Sequence, residues 1–280
     1  MTSPSSFFNI LFNILFYPFE QINPIYGLLA ISTLTGLMML AIFRFTSKQE
    51  EIARVKDKIK AHFMEVVLFK DSLGLVFRAQ KDILKCNLFY LKYFLKPLLI
   101  MIFPVIIILV QMGYRYEHRP LLPGESAIIA LRLNALQLNG DDFFPNSKEV
   151  SVSVPDGLKI ETPALRIPSE GEINWRIGAE KEGIYDLVFN ISGEKVIKKI
   201  VVNNTLTKLS TKRSQYSISD IVLNAGELPL SKNSLVNSIE VKYPPVIMRI
   251  FGWNIHWLIV FFVVSILSGF MLKGVLKVHI

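Results

Sequence analysis

A single cysteine, Cys86, in 280 residues excludes an internal disulfide framework and a zinc site built from paired cysteines. Charge is sparse too: Asp, Glu, Lys and Arg make up 19% of the chain, against roughly 25% in soluble domains. Catalytic signatures are missing. The four histidines, His62, His118, His256 and His279, share no ligand spacing. There is no glycine-rich phosphate loop, no nucleophile elbow and no zincin motif. Asp141-Asp142, ahead of Phe143-Phe144, is a paired carboxylate that reads as a solvated turn rather than a calcium site. The basic residues lack the interleaved aromatics of a nucleic-acid surface. The expectation is a protein that is not an enzyme and carries no cofactor or metal.

What the chain does have is apolar surface. Hydrophobic residues account for 51% of it and the mean hydropathy is +0.40. The excess is concentrated in three windows without charge: between Glu20 and Arg44, between Lys96 and Arg115, and between Arg249 and Lys273. A membrane helix needs about 20 such residues to cross roughly 30 Å of hydrocarbon. The second window holds Pro97 and Pro104, which a membrane helix tolerates where neighbours satisfy the freed carbonyl. The third is opened by Trp253 and Trp257, residues suited to the interface. Three spans are expected.

Their direction follows from the placement of the net charge of +8. From Arg44 to Lys96 there are twelve Lys and Arg against six Asp and Glu, whereas between Tyr114 and Arg249 the balance is seventeen against sixteen. The short basic loop belongs in the cytoplasm by the positive-inside rule. The N-terminus and the long segment after residue 115 then face outward, and the C-terminus faces in. In a bacterium this places the chain in the inner membrane, with the long segment in the periplasm.

The first twenty residues have no basic start and no small-residue cleavage site, so a signal peptide is rejected. Phe7, Phe8, Leu11, Phe12, Leu15, Phe16 and Phe19 recur at helical spacing and read as a helix lying in the outer interface. A re-entrant fourth segment is the alternative. In the basic loop, Ile52, Val55, Ile59, Phe63 and Val66 mark an amphipathic helix, with Ser47 and Glu50 as a capping box. Asp71-Ser72 and Gly74 break it, and a second helix from Leu75 to Tyr93 continues into the second span. Arg44, Lys48, Arg54 and Lys58 are the candidate docking residues of this hairpin. They suit anionic lipid headgroups, or alternatively a ribosome or nascent chain.

After the second span the pattern changes to period two. Ala127–Leu133, Glu149–Val154, Leu158–Ile160, Leu165–Ile167, Ile173–Ile177, Tyr185–Ile191 and Lys195–Val202 alternate, separated by turns such as Pro155-Asp156-Gly157. Short strands at this spacing predict an immunoglobulin-like β-sandwich plugged by Trp175. Residues 205–245 are open between a linker, a loop over the sandwich and extra strands.

The order of elements resembles the core of the YidC/Oxa/Alb insertase superfamily. FFNILFNILFYPFEQINPIYGLLAISTLTGLMMLAIFRFTSKQEEIARVKDKI is similar to the family's interfacial helix, first core helix and the start of its hairpin. PLLIMIFPVIIILVQ is similar to its proline-containing second core helix. The family's arginine midway along the first core helix has no counterpart, since Thr35, Gly36 and Leu37 occupy the matching positions. The family usually has five core spans; three are expected here. The polar residues left to line a groove are Ser32, Thr33, Thr35, Gln111, Ser265 and Ser268. The resemblance implies a membrane protein that assists insertion, folding or assembly of other membrane proteins; the alternative is a scaffold subunit of an envelope complex. Partners are then other integral membrane proteins and anionic lipids at the cytoplasmic face, with no nucleic acid beyond possible ribosomal contact.

The expected fold is thus an α-helical membrane protein of three transmembrane helices and a cytoplasmic helical hairpin, with an all-β immunoglobulin-like sandwich. The expected layout is an interfacial helix (1–24), a span (25–45), the hairpin (46–93), a second span (94–114), the sandwich (115–204), a linker or extra strands (205–250), a third span (251–273) and a tail (274–280).

Overall fold

A computed structural model describes residues 4–19, 22–134, 150–215, 227–250 and 252–274, with side chains from residue 10 onward. It combines helices with β-sheets. The chain divides into two compact units: residues 1–26 with 109–254, and residues 27–108 with 255–280. Asp141, Asp142, Phe143, Phe144 and His279 lie outside the described residues.

The helices are α1 (Pro4–Phe16), α2 (Pro24–Thr46), α3 (Gln49–Leu68), α4 (Leu73–Tyr116) and α5 (Trp257–Leu272). Asn23 and Pro24 start α2: the Asn23 side chain accepts from the Ile25 N–H at 3.1 Å, and proline supplies a first helical residue whose missing N–H costs nothing. Among the described residues two helices are long and apolar enough to cross a membrane, α2 with 23 residues and α4 with 44. At 1.5 Å per residue these span about 34 and about 66 Å. The third window behaves differently from expectation. Met248–Ile250 and Trp253–Ile255 pair as two short strands, with Gly252 at φ 83°. Only then does α5 begin, capped by the His256 imidazole, which accepts from Leu258 N–H at 3.3 Å. Its 16 residues cover about 24 Å, short of the span expected from residue 251.

In the second unit α2 and α5 run parallel in close contact. A Cβ on Gly36 would overlap the Ser265 carbonyl, and one on Gly269 would lie 3.8 Å from the Gly36 carbonyl. Leu40, Phe43 and Ile52 form a small core, against which Tyr90, Phe94, Met101 and Leu272 pack. Phe43 and Phe94 stand 5.0 Å apart, ring centroid to centroid. The packed side of α3 carries Ile52, Val55, Ile59, His62 and Val66, while Phe63, placed on that side by its spacing, is exposed. The capping box does not form either. Lys48 is the N-cap and no side chain caps the helix; the Ser47 hydroxyl instead accepts from the Gln49 side chain.

Among the described residues of the first unit, nine strands build a six-stranded and a three-stranded antiparallel sheet around one core. They are β1 (Ser126–Leu133), β2 (Val150–Ser153), β3 (Leu158–Ile160), β4 (Leu165–Ile167), β5 (Glu172–Ala179), β6 (Gly183–Ile191), β7 (Glu194–Val202), β8 (Lys212–Ser214) and β9 (Val236–Val241). One sheet has the order β3-β5-β1-β9-β8, with β4 on the same edge of β5 as β3; the other is β2-β6-β7. Period-two alternation turns Ile129 and Leu131, Trp175 and Ile177, Leu187 and Phe189 into the shared core. Trp175 meets Phe189 edge to face at 5.7 Å, an arrangement worth about 0.5–1.5 kcal/mol beyond area burial. Of the alternatives left open for residues 205–245, β8 and β9 are extra strands, and β9 pairs with β1. Sequence patterning did not place it: β9 follows a polar stretch, and its register is set by pairing with β1 on one side and β8 on the other.

Ends and corners are tied by hydrogen bonds. Arg119 N–H donates to Pro244 O at 3.0 Å and Val246 N–H to Glu117 O at 3.1 Å, so the incoming and outgoing segments lie side by side. Such adjacent termini suit a domain inserted between two helices. The Arg119 guanidinium grips Glu125 with two bonds of 2.7 Å. Tyr185, at the start of β6, donates its hydroxyl to Lys181 O at 3.0 Å. Gly157, at φ 106°, leaves that ring room: a Cβ there would overlap the Tyr185 hydroxyl.

One inward position on β7 is not apolar. Lys198 falls in phase with Val196 and Ile200 and is fully buried. Its ammonium donates to Glu227 at 2.5 Å and to Ser210 O at 2.6 Å. Glu227 also accepts from the Lys199 N–H at 2.8 Å. Burial lowers the Lys198 pKa, and the Glu227 charge opposes that shift. The pair pins residues 210 and 227 to the second sheet.

Removing one partner of such a pair costs about 3–5 kcal/mol, because the other charge stays buried. Glu227→Ala is expected to destabilise by that amount, and Lys198→Met/Glu227→Gln to recover most of the loss. Equilibrium urea unfolding of the full chain in detergent, followed by tryptophan fluorescence, measures both. A second expectation concerns acid. The Arg119 hydrogen bonds hold the Glu125 carboxyl down to about 2 from an ordinary 4.5. Its folded pKa is depressed, so its contribution is complete above about pH 4.5 and is lost as pH falls toward about 2. Glu125→Gln should flatten that part of the stability-against-pH curve.

Candidate functional site

The hydroxyls expected to line a groove are brought together in part. Ser265 donates to Ser32 O across the α2–α5 contact at 2.9 Å, and Ser268 approaches the Thr33 hydroxyl at 3.5 Å. Ser32 and Thr35 donate back to Leu28 O and Ile31 O at 2.6 and 2.7 Å, and Ser268 to Val264 O at 2.6 Å. Ser32, Thr35 and Ser265 are buried. These groups satisfy one another or their own helix, as hydroxyls between apolar helices do. Gln111 belongs to the first unit, where it is buried on α4.

The docking candidates are exposed: Arg44 at the end of α2, Lys48 ahead of α3, and Arg54 and Lys58 on α3. Arg54 is shared with Glu51 at 3.3 Å and Glu50 at 3.9 Å. Exposed pairs of this kind contribute little to stability, and they temper the positive field of the hairpin. Beside these charges the turn between α3 and α4 presents uncovered apolar side chains. Phe63, Met64, Val67, Leu68, Leu73 and Phe77 are each more than 60% exposed: 63, 73, 67, 74, 72 and 67%.

The first unit holds a cavity of about 760 Å³, formed by α1 and the turn after it, the last turn of α4, and residues 204–208. Arg115 projects from α4, buried, with its guanidinium donating to the Asn13 side chain at 2.5 Å and stacked 4.5 Å from the Phe16 ring centroid. The Tyr116 hydroxyl donates to Pro24 O at 3.0 Å and holds the start of α2 against this floor. Lys208 enters from the other wall, its ammonium 5.5 Å from the Tyr114 ring centroid. Burial, and next the neighbouring Arg115 charge, bring its pKa down to about 8. Asn204, Thr205 and Thr207 complete the polar lining. None of the described lining residues is acidic.

The sequence reading passed over Arg115 and Lys208. Arg115 looks like any charge ending an apolar window, and Lys208 lies in a polar stretch with no period. Neither carries a local signal, because 92 residues lie between them. Of the phenylalanines read on α1, Phe12 and Phe16 are buried, whereas Leu11 is exposed and the side chains of Phe7 and Phe8 lie outside those described. Among the described residues no group of His, Cys, Asp and Glu could hold a metal ion. No protein-family model, curated protein or solved structure matches the chain.

The α2–α5 contact should depend on Gly36 more than on the hydroxyls. Ser265→Ala, which removes one hydrogen bond, is expected to cost about 1 kcal/mol. Gly36→Leu is expected to cost about 1–3 kcal/mol by overpacking. Thermal unfolding of both variants in detergent compares them directly.

Proposed function

We propose that this chain is an integral membrane protein that assists the insertion or assembly of other membrane proteins, acting by capture rather than by catalysis. The observation that carries this reading is the tip of the α3–α4 hairpin. An exposed apolar patch beside basic residues marks a surface that receives another apolar segment, and phenylalanine with methionine makes an adaptable one. The basic charge favours the cytoplasmic side for this hairpin, with the two-sheet domain outside. Parallel α2 and α5 agree with two helices that cross in the same direction. The short α5 is compatible with a bilayer that thins locally.

The outer domain is read as immunoglobulin-like. Its order β9-β1-β5-β3 opposite β2-β6-β7 corresponds to the A-B-E-D and C-F-G sheets of that fold, with β9 in the place of strand A. Leu121 makes a parallel bridge to Val202 on β7, and Tyr185 supplies a tyrosine corner by bonding back to Lys181 O. In this role the domain contacts the translocated part of a client or complex.

The sealed hydroxyls between α2 and α5 support a second reading, a scaffold subunit whose helices pack against fixed partners. Photo-crosslinking from position 67 in native membranes separates the two. Newly made membrane proteins are the expected adducts; a fixed stoichiometric set of subunits would select the scaffold. Val67→Asp/Leu68→Asp should remove most of the adducts, at least about tenfold, if apolar contact drives capture. Lys195→Cys in a Cys86→Ser background should label from outside the cell, and labelling only from the cytoplasm would reverse the topology.

A further inference from the structure

We propose that α4 pairs with α4 of a second copy of this chain, as a parallel two-stranded coiled coil along its exposed leucines. The pairing goes beyond client capture; only its parallel direction rests on the membrane reading above. Phe77, Leu84, Leu88, Leu91, Leu95 and Leu98 follow one another by seven, four, three, four and three residues, and each is more than half exposed. Ile102, four further on, is exposed as well. Written as a heptad, Leu88 and Leu95 take position a, and Phe77, Leu84, Leu91 and Leu98 take position d. The other side of α4 is the packed one: Ala79 and Pro97 are buried, and Tyr90 and Phe94 meet the core around Phe43. An apolar seam kept in this repeat for three heptads along one helix is the pattern of a coiled coil.

Period and charge decide the occupant. A straight helix drifts about 20° per heptad from a strict seven-residue repeat, about 60° over three. That drift carries the stripe away from a flat lipid surface, whereas two helices wound round each other keep it in contact. Lipid and a partner helix cover leucine alike, but Lys81, Lys85 and Lys92 lie among these leucines, and hydrocarbon excludes their charge. A second copy matches the stripe layer for layer, leucine against leucine. The flanking residues then set direction. Position e is basic, with Arg78, Lys85 and Lys92, and position g is uncharged, with Gln80, Asn87 and Phe94. Antiparallel helices would set these cations against one another. Parallel helices set Lys85 and Lys92 beside the amides of positions 80 and 87. Copies inserted in one membrane run the same way, so the tolerated direction is the one open to them. Lys81 fills the next a position, and a lysine there fixes register and chain number at a cost in stability. Pairing along α4 sets two α3–α4 turns side by side.

Disulfide trapping of the full chain in native membranes tests this, with Leu84→Cys and Leu91→Cys each in a Cys86→Ser background. Both should give an adduct of twice the chain mass, because two positions seven residues apart both meet themselves only in parallel, in-register helices. Wild-type Cys86, half-buried at position f, should react at least about tenfold more slowly, since f faces away from the seam. Adding Leu88→Ser/Leu95→Ser to Leu84→Cys should slow its adduct at least about tenfold. Adding Phe89→Ser, also exposed but off the stripe, should leave the rate unchanged. No adduct at either cysteine would overturn the pairing, and an adduct at only one of them would overturn the parallel register. An adduct with a different protein would overturn the second copy. Equal slowing by Phe89→Ser, or an equal rate for Cys86, would overturn the stripe. A chain absent from the membrane fraction would instead defeat the membrane reading, which fractionation of the wild type checks separately.

Discussion

A polar group taken out of water must be given a partner, and that constraint shapes both units. Between α2 and α5 the hydroxyls of Ser32, Thr35, Ser265 and Ser268 bond to helix carbonyls, so the contact can be close without stranding an oxygen. Gly36 then permits backbone approach. In the sheets the same constraint takes ionic form. Lys198 occupies a core position that alternation would assign to an aliphatic residue, and Glu227 with Ser210 O must come to it. A buried ammonium thereby holds Ser210 and Glu227 against the second sheet.

The two units use their apolar surface differently. The sheets close most of theirs into one core around Trp175 and Phe189. The helices leave much of theirs open: along α4, Leu84, Leu88, Leu91, Leu95, Leu98 and Phe103 are all exposed. Water does not favour such a surface, and lipid or a partner helix satisfies it equally, since neither offers a hydrophobic penalty. The hairpin tip adds apolar side chains among charges, where lipid tails alone are a less natural cover. This contrast between a finished core and an unfinished surface is what gives the capture reading its physical content.

The cavity in the first unit joins the two themes. It gathers Arg115 and Lys208 against neutral donors and leaves apolar side chains at its margin. The two-sheet domain is held by devices that act at its corners, Arg119 on Glu125 and Tyr185 over Gly157. Residues 204–208 leave the end of β7 between two backbone bonds, Asn203 N–H to Leu121 O at 2.9 Å and Leu209 N–H to Tyr114 O at 2.8 Å.

The sequence by itself determined the periodicities. Charge-free windows located α2, α4 and α5, steps of three and four located α3, and alternation located the strands from Ala127 to Val202. Helical and strand periods are local properties of the chain, so they can be read in a window of a few residues. Where a local rule met a competing one, it failed: Phe63 lost the packed face to His62, Ser47 did not cap α3, and Trp253 left the helix for a short strand pair. Only the tertiary structure decided the rest. That β9 stands beside β1, that Lys198 finds Glu227, and that Arg115 and Lys208 face one cavity all depend on pairings across 29 to more than 100 residues. No local pattern encodes these pairings, because their energies arise only once the sheets and helices are packed.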